Sequence, residues 1–456
     1  MKKPHREASL ADAQPLDGSY EAMLEDVERK AIAYFHHEVN PANGLVRDNT
    51  DRESPASIAG TGFALSAYVA AVERGYMTRH EAASRTRTAL RFLWNAPQGD
   101  AADATGAHGF FYHFLDMGTG RRVWKCELST IDTTIALAGI LAAAAYFARN
   151  TPHEREIRSL GDAIYRRVDW RWALNGGRAV AMGWKPEHGG RFLTCRWRGY
   201  TEALLLYVLG LGSPTHPLPR DAFARWTATY RWTRAYGCPY LHAGPLFIHH
   251  LSHIWIDFRG IRDAYMRTKG IDYFENSRRA TYVQRAYAVR NPRRFDWYGD
   301  TWWGVTASDG PGNATRSVNG TPRRFYGYHA RGVPHGPDDG TLSPWAVAAS
   351  LPFAPEIVLP TLQAMAATYP GPKRTYGYMC SINPSFRTSR RGSGWISPRD
   401  YAINQGPAGL MVENFRSGLI WRLMRACPYV QAGLRRAGFT GGWLQRRAPG
   451  ATRPLR

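Results

Sequence analysis

Helices arriving in successive pairs, joined by long Gly- and aromatic-rich loops, are the feature that most restricts what this chain can become. Tyr20–Glu38 reads as an amphipathic helix with Met23, Val27, Ile32 and Phe35 at helical spacing. Ser54-Pro55 forms an N-cap and first-turn pair for a helix passing Ile58, Phe63, Ala67 and Val72 toward Gly75, and His80–Trp94 is its partner. The run 133–148, TTIALAGILAAAAYFA, is almost fully apolar, and Glu154–Val168 pairs with it. A helix over Tyr200–Leu211 is stopped by SPTHP. Pro245–Pro292 reads as two helices joined by one loop, and a last long helix starts near Gln405 and passes Val412 and Trp421.

The count reaches about eleven or twelve helices with no fixed short period, which excludes a repeat solenoid. The expected fold class is all-α, an (α/α)6 toroid of helical hairpins. The segment 108–126, HGFFYHFLDMGTGRRVWKC, has strand-like aromatics and a Gly turn, so a hairpin or long loop is expected above the helical body. Nothing in the composition marks a linker. Residues 20–445 therefore read as one catalytic domain, between a flexible lead over 1–19 and a basic, mobile tail over 446–456.

Composition narrows the function classes. In 456 residues, 44% hydrophobic content with 13% aromatics supplies a sizeable core. The formal charge of +22, from 59 Lys+Arg against 37 Asp+Glu, raises the question of a nucleic-acid partner. The basic residues form no tract and are spread along the chain, so no nucleic-acid partner is expected. Five cysteines show no CxxC pair and no metal-ligand spacing, and His249, His250 and His253 lack an HExxH frame, so no metal is expected. The GxSxG, GxxxxGK[ST] and strand-borne GxGxxG signatures are missing, and with them serine-hydrolase and nucleotide-dependent readings. No window approaches about 18 uninterrupted apolar residues, and the start carries no apolar signal core. A soluble, cytoplasmic protein without a membrane span is expected, with a periplasmic one still open if the start is trimmed; the oligomeric state is unknown.

Pro245–Pro292 is crowded with site chemistry. Asp257, Arg259, Asp263, Asp272, Glu275 and Asn276 lie among Phe247, Trp255, Phe258, Tyr273 and Phe274, the mixture of polar groups and flat apolar faces that sugar rings bind. Glycoside cleavage needs one carboxylic acid to protonate the leaving oxygen and a second carboxylate as nucleophile or as base for water. Glu202, at the start of the apolar ALLLYVLG run, is the general-acid candidate, because partial burial there would keep its acid form populated near neutral pH. The competing reading is helix capping around Thr201. Asp132 with Glu127 can grip sugar hydroxyls or cap a helix, and Asp309 and Asp339 suit either turns or a site.

Taken together, residues 108–139, 199–217, 247–281, 302–311, 337–356 and 403–421 closely resemble the glycoamylase-like domain of bacterial β-1,2-glucanases and cyclic β-1,2-glucan synthases. The resemblance spans roughly residues 20–445. It implies an (α/α)6 barrel acting on a β-1,2-glucan oligo- or polysaccharide, by hydrolysis or transglycosylation, with no cofactor. Glu202 matches the glutamate that looks like the family's acid. Where the family's hydrolases show IDQGP, this chain has Ile403-Asn404-Gln405-Gly406-Pro407, and asparagine cannot take a proton from water. Cys380 likewise stands where an acidic residue is expected.

The resemblance therefore implies a retaining scheme with Glu202 as acid/base and Glu275 as nucleophile, the latter competing with a salt bridge to Arg278 or Arg279. The expected substrate-binding set is Glu127, Asp132, Trp255, Asp257, Arg259, Trp303, Asp309, Arg331, Asp339, Asn404 and Gln405. The alternative is a β-glucan-binding protein that the change at Asn404 has deprived of catalysis.

Overall fold

Short side-chain caps decide where the helices of this computed structural model begin. It describes residues 18–371, 374–387 and 394–445. Of the lead expected over 1–19, only Gly18 and Ser19 are among the described residues, where they start the first helix; the tail over 446–456 lies outside them. Ser57, Thr78, Ser129 and Thr151 each accept a hydrogen bond from the backbone N–H three residues on. The cap expected at Ser54 is thus found three residues later. Ala56–Ser57 first pairs as a short strand with Phe114–Leu115, and that pairing delays the helix.

Sixteen α-helices are present among the described residues: α1 Gly18–His37, α2 Ile58–Glu73, α3 Arg79–Asn95, α4 Thr130–Tyr146, α5 Pro152–Arg167, α6 Trp170–Leu174, α7 Ala203–Gly212 and α8 Ala222–Thr227 in the first half. The second half holds α9 Leu251–Trp255, α10 Ala264–Lys269, α11 Tyr273–Arg290, α12 Pro344–Ala349, α13 Pro355–Thr368, α14 Ala402–Arg416, α15 Leu419–Ala426 and α16 Pro428–Arg436.

Burial sorts them into two layers. Helices α2, α4, α7, α9, α12 and α14 are buried almost all round, whereas α1, α3, α5, α11 and α13 bury one face. A helix apolar on every side must be surrounded by protein, so the six form the inner ring of a helical toroid. Helix α2 packs on α4 and α14, α4 on α7, α7 on α9 and α12 on α14; outside them α1 lies on α14, α5 on α4, α16 on α7 and α13 on α12. The α2–α4 approach is backbone-close. A Cβ on Gly139 would lie 1.9 Å from the Gly62 carbonyl oxygen, which only glycine avoids.

Two expectations need correcting. The segment Pro245–Pro292 holds a 3-10 turn (Leu246–His249), α9, α10 and the long α11, because Asp263 and Asp272 each cap a new helix. The last long helix also stops early. Gly418, at φ 67°, breaks the chain between α14 and α15, and Trp421 belongs to the latter. This break lets α15 turn across the ring, where it packs against α2, α4, α9 and α14. Trp421 Nε1 donates to His253 O at 2.6 Å and Asn414 Nδ2 to Ile254 O at 2.8 Å, so α15 closes the ring at the C-terminal ends of the inner helices.

The opposite end carries the β-structure. The segment 108–126, expected as a hairpin or long loop, contributes Phe110–Tyr112 to a five-stranded antiparallel sheet, in the order Gly106–Ala107, Phe110–Tyr112, Leu128–Ser129, Gly183–Lys185, Arg191–Phe192. Leu128–Ser129 leads straight into α4, which ties the sheet to the N-terminal end of the ring. Among the described residues no helix is long and apolar enough to cross a membrane.

Candidate active site

Every inner helix sends its N-terminal end into one cleft of about 520 Å³. Asp48 lies in the loop before α2, Asp132 in the first turn of α4, Glu202 at the N-cap of α7, Leu251 at the start of α9, Trp345 in the first turn of α12 and Tyr401 at the N-cap of α14. Converging helix N-termini present partial positive charge and unpaired N–H groups, an environment that suits carboxylates and hydroxyl-rich ligands. Aromatic faces from Phe114, Trp124, Trp345, Tyr328 and Tyr401 complete the walls. At the lip, Trp124 is 67% exposed and Tyr328 53%.

Glu202 is free to act. Thr201 Oγ1 accepts from Ala203 N at 3.2 Å, while the Glu202 carboxyl makes no capping bond. Ser252 of α9 holds this turn in place, donating to Glu202 O and accepting from Leu205 N, each at 3.1 Å. Burial pushes the Glu202 carboxyl up to about 7; its own backbone N–H works against this, and the charge of Asp132 adds to it. A carboxyl tuned so keeps a large protonated fraction near neutral pH, as proton donation to a leaving oxygen requires.

Beside it lies a charge relay that sequence reading missed. His113 Nδ1 pairs with Glu127 Oε1 at 2.9 Å, and His113 Nε2 lies 3.7 Å from Asp132 Oδ2. Burial disfavours the His113 cation, but the charges of Asp132, Glu127 and Asp48 outweigh it and raise the imidazole to about 9. His113 is therefore an imidazolium at neutral pH. Asp132 also accepts the Ser129 hydroxyl while its own N–H donates to Ser129 Oγ at 3.1 Å, a reciprocal cap that orients the carboxylate. Glu127 reaches the site through His113; burial alone would raise its carboxyl, but the His113 hydrogen bond and charge hold it below the usual range. Asp48, in the loop before α2, also lines the cleft, and no sequence motif marks it. The one available signal for His113 was its place inside the aromatic run FFYHFL.

Three residues expected in the site, Asp309, Asn404 and Gln405, lie within two residues of cleft-lining positions without lining the cleft themselves. Asp309 Oδ1 accepts from Gly310 N and Oδ2 from the Ser397 hydroxyl, both at 2.9 Å, and burial raises the Tyr401 hydroxyl with the Asp309 charge adding to it. Asn404 is buried in the first turn of α14, next to the cleft-lining Ile403, and its Oδ1 has no hydrogen-bond partner among the described residues. Gln405 is equally buried, its Nε2 3.5 Å from Asp400 Oδ1.

The others do not line the cleft, and each has a structural partner instead. Trp255 is a core residue stacked on Phe63 with its Nε1 on Ser66 Oγ at 2.9 Å, and Trp303 Nε1 donates to Thr361 Oγ1 at 3.1 Å. Asp257 is clamped by Arg259, at 2.8 and 2.7 Å, and by Arg425; Arg259 lies over the Trp421 ring. Arg331 and Asp339 form a fully buried pair at 2.6 Å, and the guanidinium also donates to four loop carbonyls. Glu275 pairs with Arg279 at 2.7 Å one turn along α11. Glu275 does not line the cleft with Glu202; among the described residues the other carboxylates that do are Asp132 and Asp48.

The three histidines of this region hold helices together. His250 Nε2 meets Ser350 Oγ at 2.9 Å and His253 Nε2 meets Ser277 Oγ at 3.1 Å. Burial lowers His249 and His253 to about 3, so both are neutral. Among the described residues no group of three or more His, Cys, Asp and Glu is arranged to hold a metal ion. Cys380 is buried, 2.8 Å from Tyr369 OH and 3.1 Å from Arg374 Nη1, so the arginine that an acidic residue here would meet pairs with Asp400 at 2.9 Å.

Known proteins share this architecture. Residues 194–428 match the glycoamylase family model, described as putative glucoamylase. An exo β-1,2-glucooligosaccharide sophorohydrolase (non-reducing end) from Parabacteroides distasonis is 26% identical over 451 residues, covering 91% of this chain. The chain spans 58% of that relative's length. Among solved structures, a putative glucoamylase from Bacteroides uniformis superposes with a TM-score of 0.82 at 29% identity, covering 95% of this chain and 100% of that one. An endo-β-1,2-glucanase from Chitinophaga pinensis, in complex with sophorotriose and glucose, gives 0.78 at 26% identity, with coverage of 94% and 100%.

Proposed function

From the premise that this chain belongs to the glycoamylase family, we propose that it cleaves β-1,2-linked glucan chains, with Glu202 protonating the leaving glycosidic oxygen. The observation that carries the reading is the Glu202 carboxyl, uncapped at the N-terminal end of α7, facing the cleft and raised to about 7. The names of its relatives supply the substrate class: one acts on β-1,2-glucooligosaccharides, and another is a β-1,2-glucanase with sophorotriose bound.

The cleft's chemistry suits such a chain. Phe114, Trp124 and Tyr328 offer apolar faces to sugar rings, and the Glu127–His113–Asp132 relay offers fixed acceptors to their hydroxyls. As the bond from C1 to the bridging oxygen stretches, negative charge grows on that oxygen. The Glu202 proton neutralises it, and the departing chain leaves as an alcohol.

The test is incubation with linear β-1,2-glucan, following chain length, with Glu202→Gln alongside. Shortened or transferred chains are expected from the native protein, and binding without turnover from the variant. An unchanged polymer at high protein loading would overturn the reading and leave a groove that only binds glucan.

A further inference from the structure

The acid at Glu202 needs a second carboxylate, and the residue at the expected place for it, Asn404, is an amide. This inference rests on the glucan-cleaving reading above. The carboxylates around the cleft differ in how far they are already engaged. Asp132 carries the Ser129 hydroxyl and faces the His113 cation, and Glu127 pairs with the same ring. Asp309 accepts from Gly310 N and Ser397, and Asp400 pairs with Arg374.

Asp48 stands apart from these. Among the described residues its carboxylate has one side-chain partner, the Asn49 amide at 3.2 Å, and no cation within ion-pair distance, while it lines the cleft directly.

Its backbone is rigidly placed. Asp48 N donates to Pro55 O at 2.8 Å, and Ala402 N donates to Asp48 O at 2.9 Å. The second bond ties Asp48 to the first turn of α14, the turn that carries Asn404. Asn49 bridges to Tyr401 in the same way. Around the inner ring Asp48 precedes α2, Asp132 opens α4 and Glu202 opens α7, so Asp132 stands between the other two.

We propose that Asp48 is the base that activates water in this cleft, supplying from the loop before α2 the carboxylate that α14 lacks at Asn404. A water proton passes to the Asp48 carboxylate as the water oxygen bonds to C1. The bond from C1 to the bridging oxygen breaks, and that oxygen takes the Glu202 proton. One water is consumed, both carboxyls return to their starting state by exchange with solvent, and the anomeric centre inverts.

The test combines two variants with the product's configuration, on full-length protein and linear β-1,2-glucan. Asp48→Asn is expected to lower kcat by about a thousandfold with KM within about threefold. Sodium azide is expected to restore turnover to Asp48→Gly, because a small anion can attack C1 without a base. NMR of early products from the native protein is expected to show the α-anomer. Loss of less than about tenfold in Asp48→Asn overturns the proposal, as does a change confined to KM, absence of azide rescue in a folded Asp48→Gly, or a β-anomeric first product. Near-normal activity in Glu202→Gln would instead strike at the glucan-cleaving reading. An inactive Glu202→Gln beside an active Asp48→Asn would remove this inference alone.

Discussion

His113 Nε2 lies 3.7 Å from Asp132 Oδ2, and that one approach links the sheet at the cleft mouth to the first turn of α4. The imidazolium belongs to the cluster as a whole, because Glu127 takes its other nitrogen and Asp48 adds to the surrounding negative charge. Replacing His113 by Gln removes the cation that favours the ionised form of Asp48. The acidic limb of the pH profile for kcat/KM is expected to move to higher pH, with a lower maximum, measured over about pH 4–9.

The Glu202 carboxyl makes stability depend on pH. Its carboxyl sits at about 7 in the folded protein against an ordinary value of 4.5, so the native state binds the proton more tightly than the unfolded chain. Stability from this group is therefore present at low pH and lost as pH rises from about 4.5 through 7. Glu202→Gln has no proton to lose. It is expected to unfold at higher urea than the native protein at pH 8, by about 1–2 kcal/mol after discounting for the solvent in the cleft, and to lose that advantage at pH 4.

Glu275 provides a contrast. Its ion pair with Arg279 is an i,i+4 pair on a part-exposed helix face, worth about 0.3–0.5 kcal/mol. Glu275→Gln is expected to retain activity within about twofold and to shift unfolding barely at all. A thousandfold loss of turnover would restore the nucleophile role that the sequence suggests.

Trp124 projects from the cleft lip with 67% of its surface exposed, and both it and Lys125 hold positive φ, 56° and 48°. Two successive non-glycine residues in that region store strain, which is common where a loop presents a side chain to a ligand. Trp124→Ala is expected to leave the unfolding midpoint unchanged and to raise KM for long glucans by about tenfold, the equivalent of about 1.4 kcal/mol of lost stacking.

Arg331 and Asp339, both fully buried, organise the loops between α11 and α12. Removing one partner strands the other charge in the interior. Asp339→Ala is expected to destabilise by about 3–5 kcal/mol, measured by equilibrium urea unfolding.

Helix spans were readable because their signals are local. Ser129 capping α4, the apolar run through Ala143 and the stop after Gly212 all act within a turn or two of the residues concerned. Two boundaries escaped, the start of α2 and the split between α14 and α15. In the first, strand pairing with Phe114–Leu115 overrode Ser54 as a cap; in the second, the left-handed Gly418 let α15 pack across the ring.

By itself the sequence determined the ring of helical pairs, the family motifs and the acid candidate at Glu202, since each rests on short-range periodicity or on contiguous residues. Tertiary structure alone decided which charges meet. Asp257, Arg331 and Asp339 look like sugar contacts in a sequence, and prove to be spent on Arg425, loop carbonyls and one another. Asp48 and His113 look like connectors, and are brought beside Asp132 and Glu202 because segments from residue 48 to residue 403 converge at the N-terminal ends of six helices. A carboxylate is available for chemistry only if no arginine neutralises it, and the fold alone decides this where, as with Arg425 and Asp257, the two are distant in sequence.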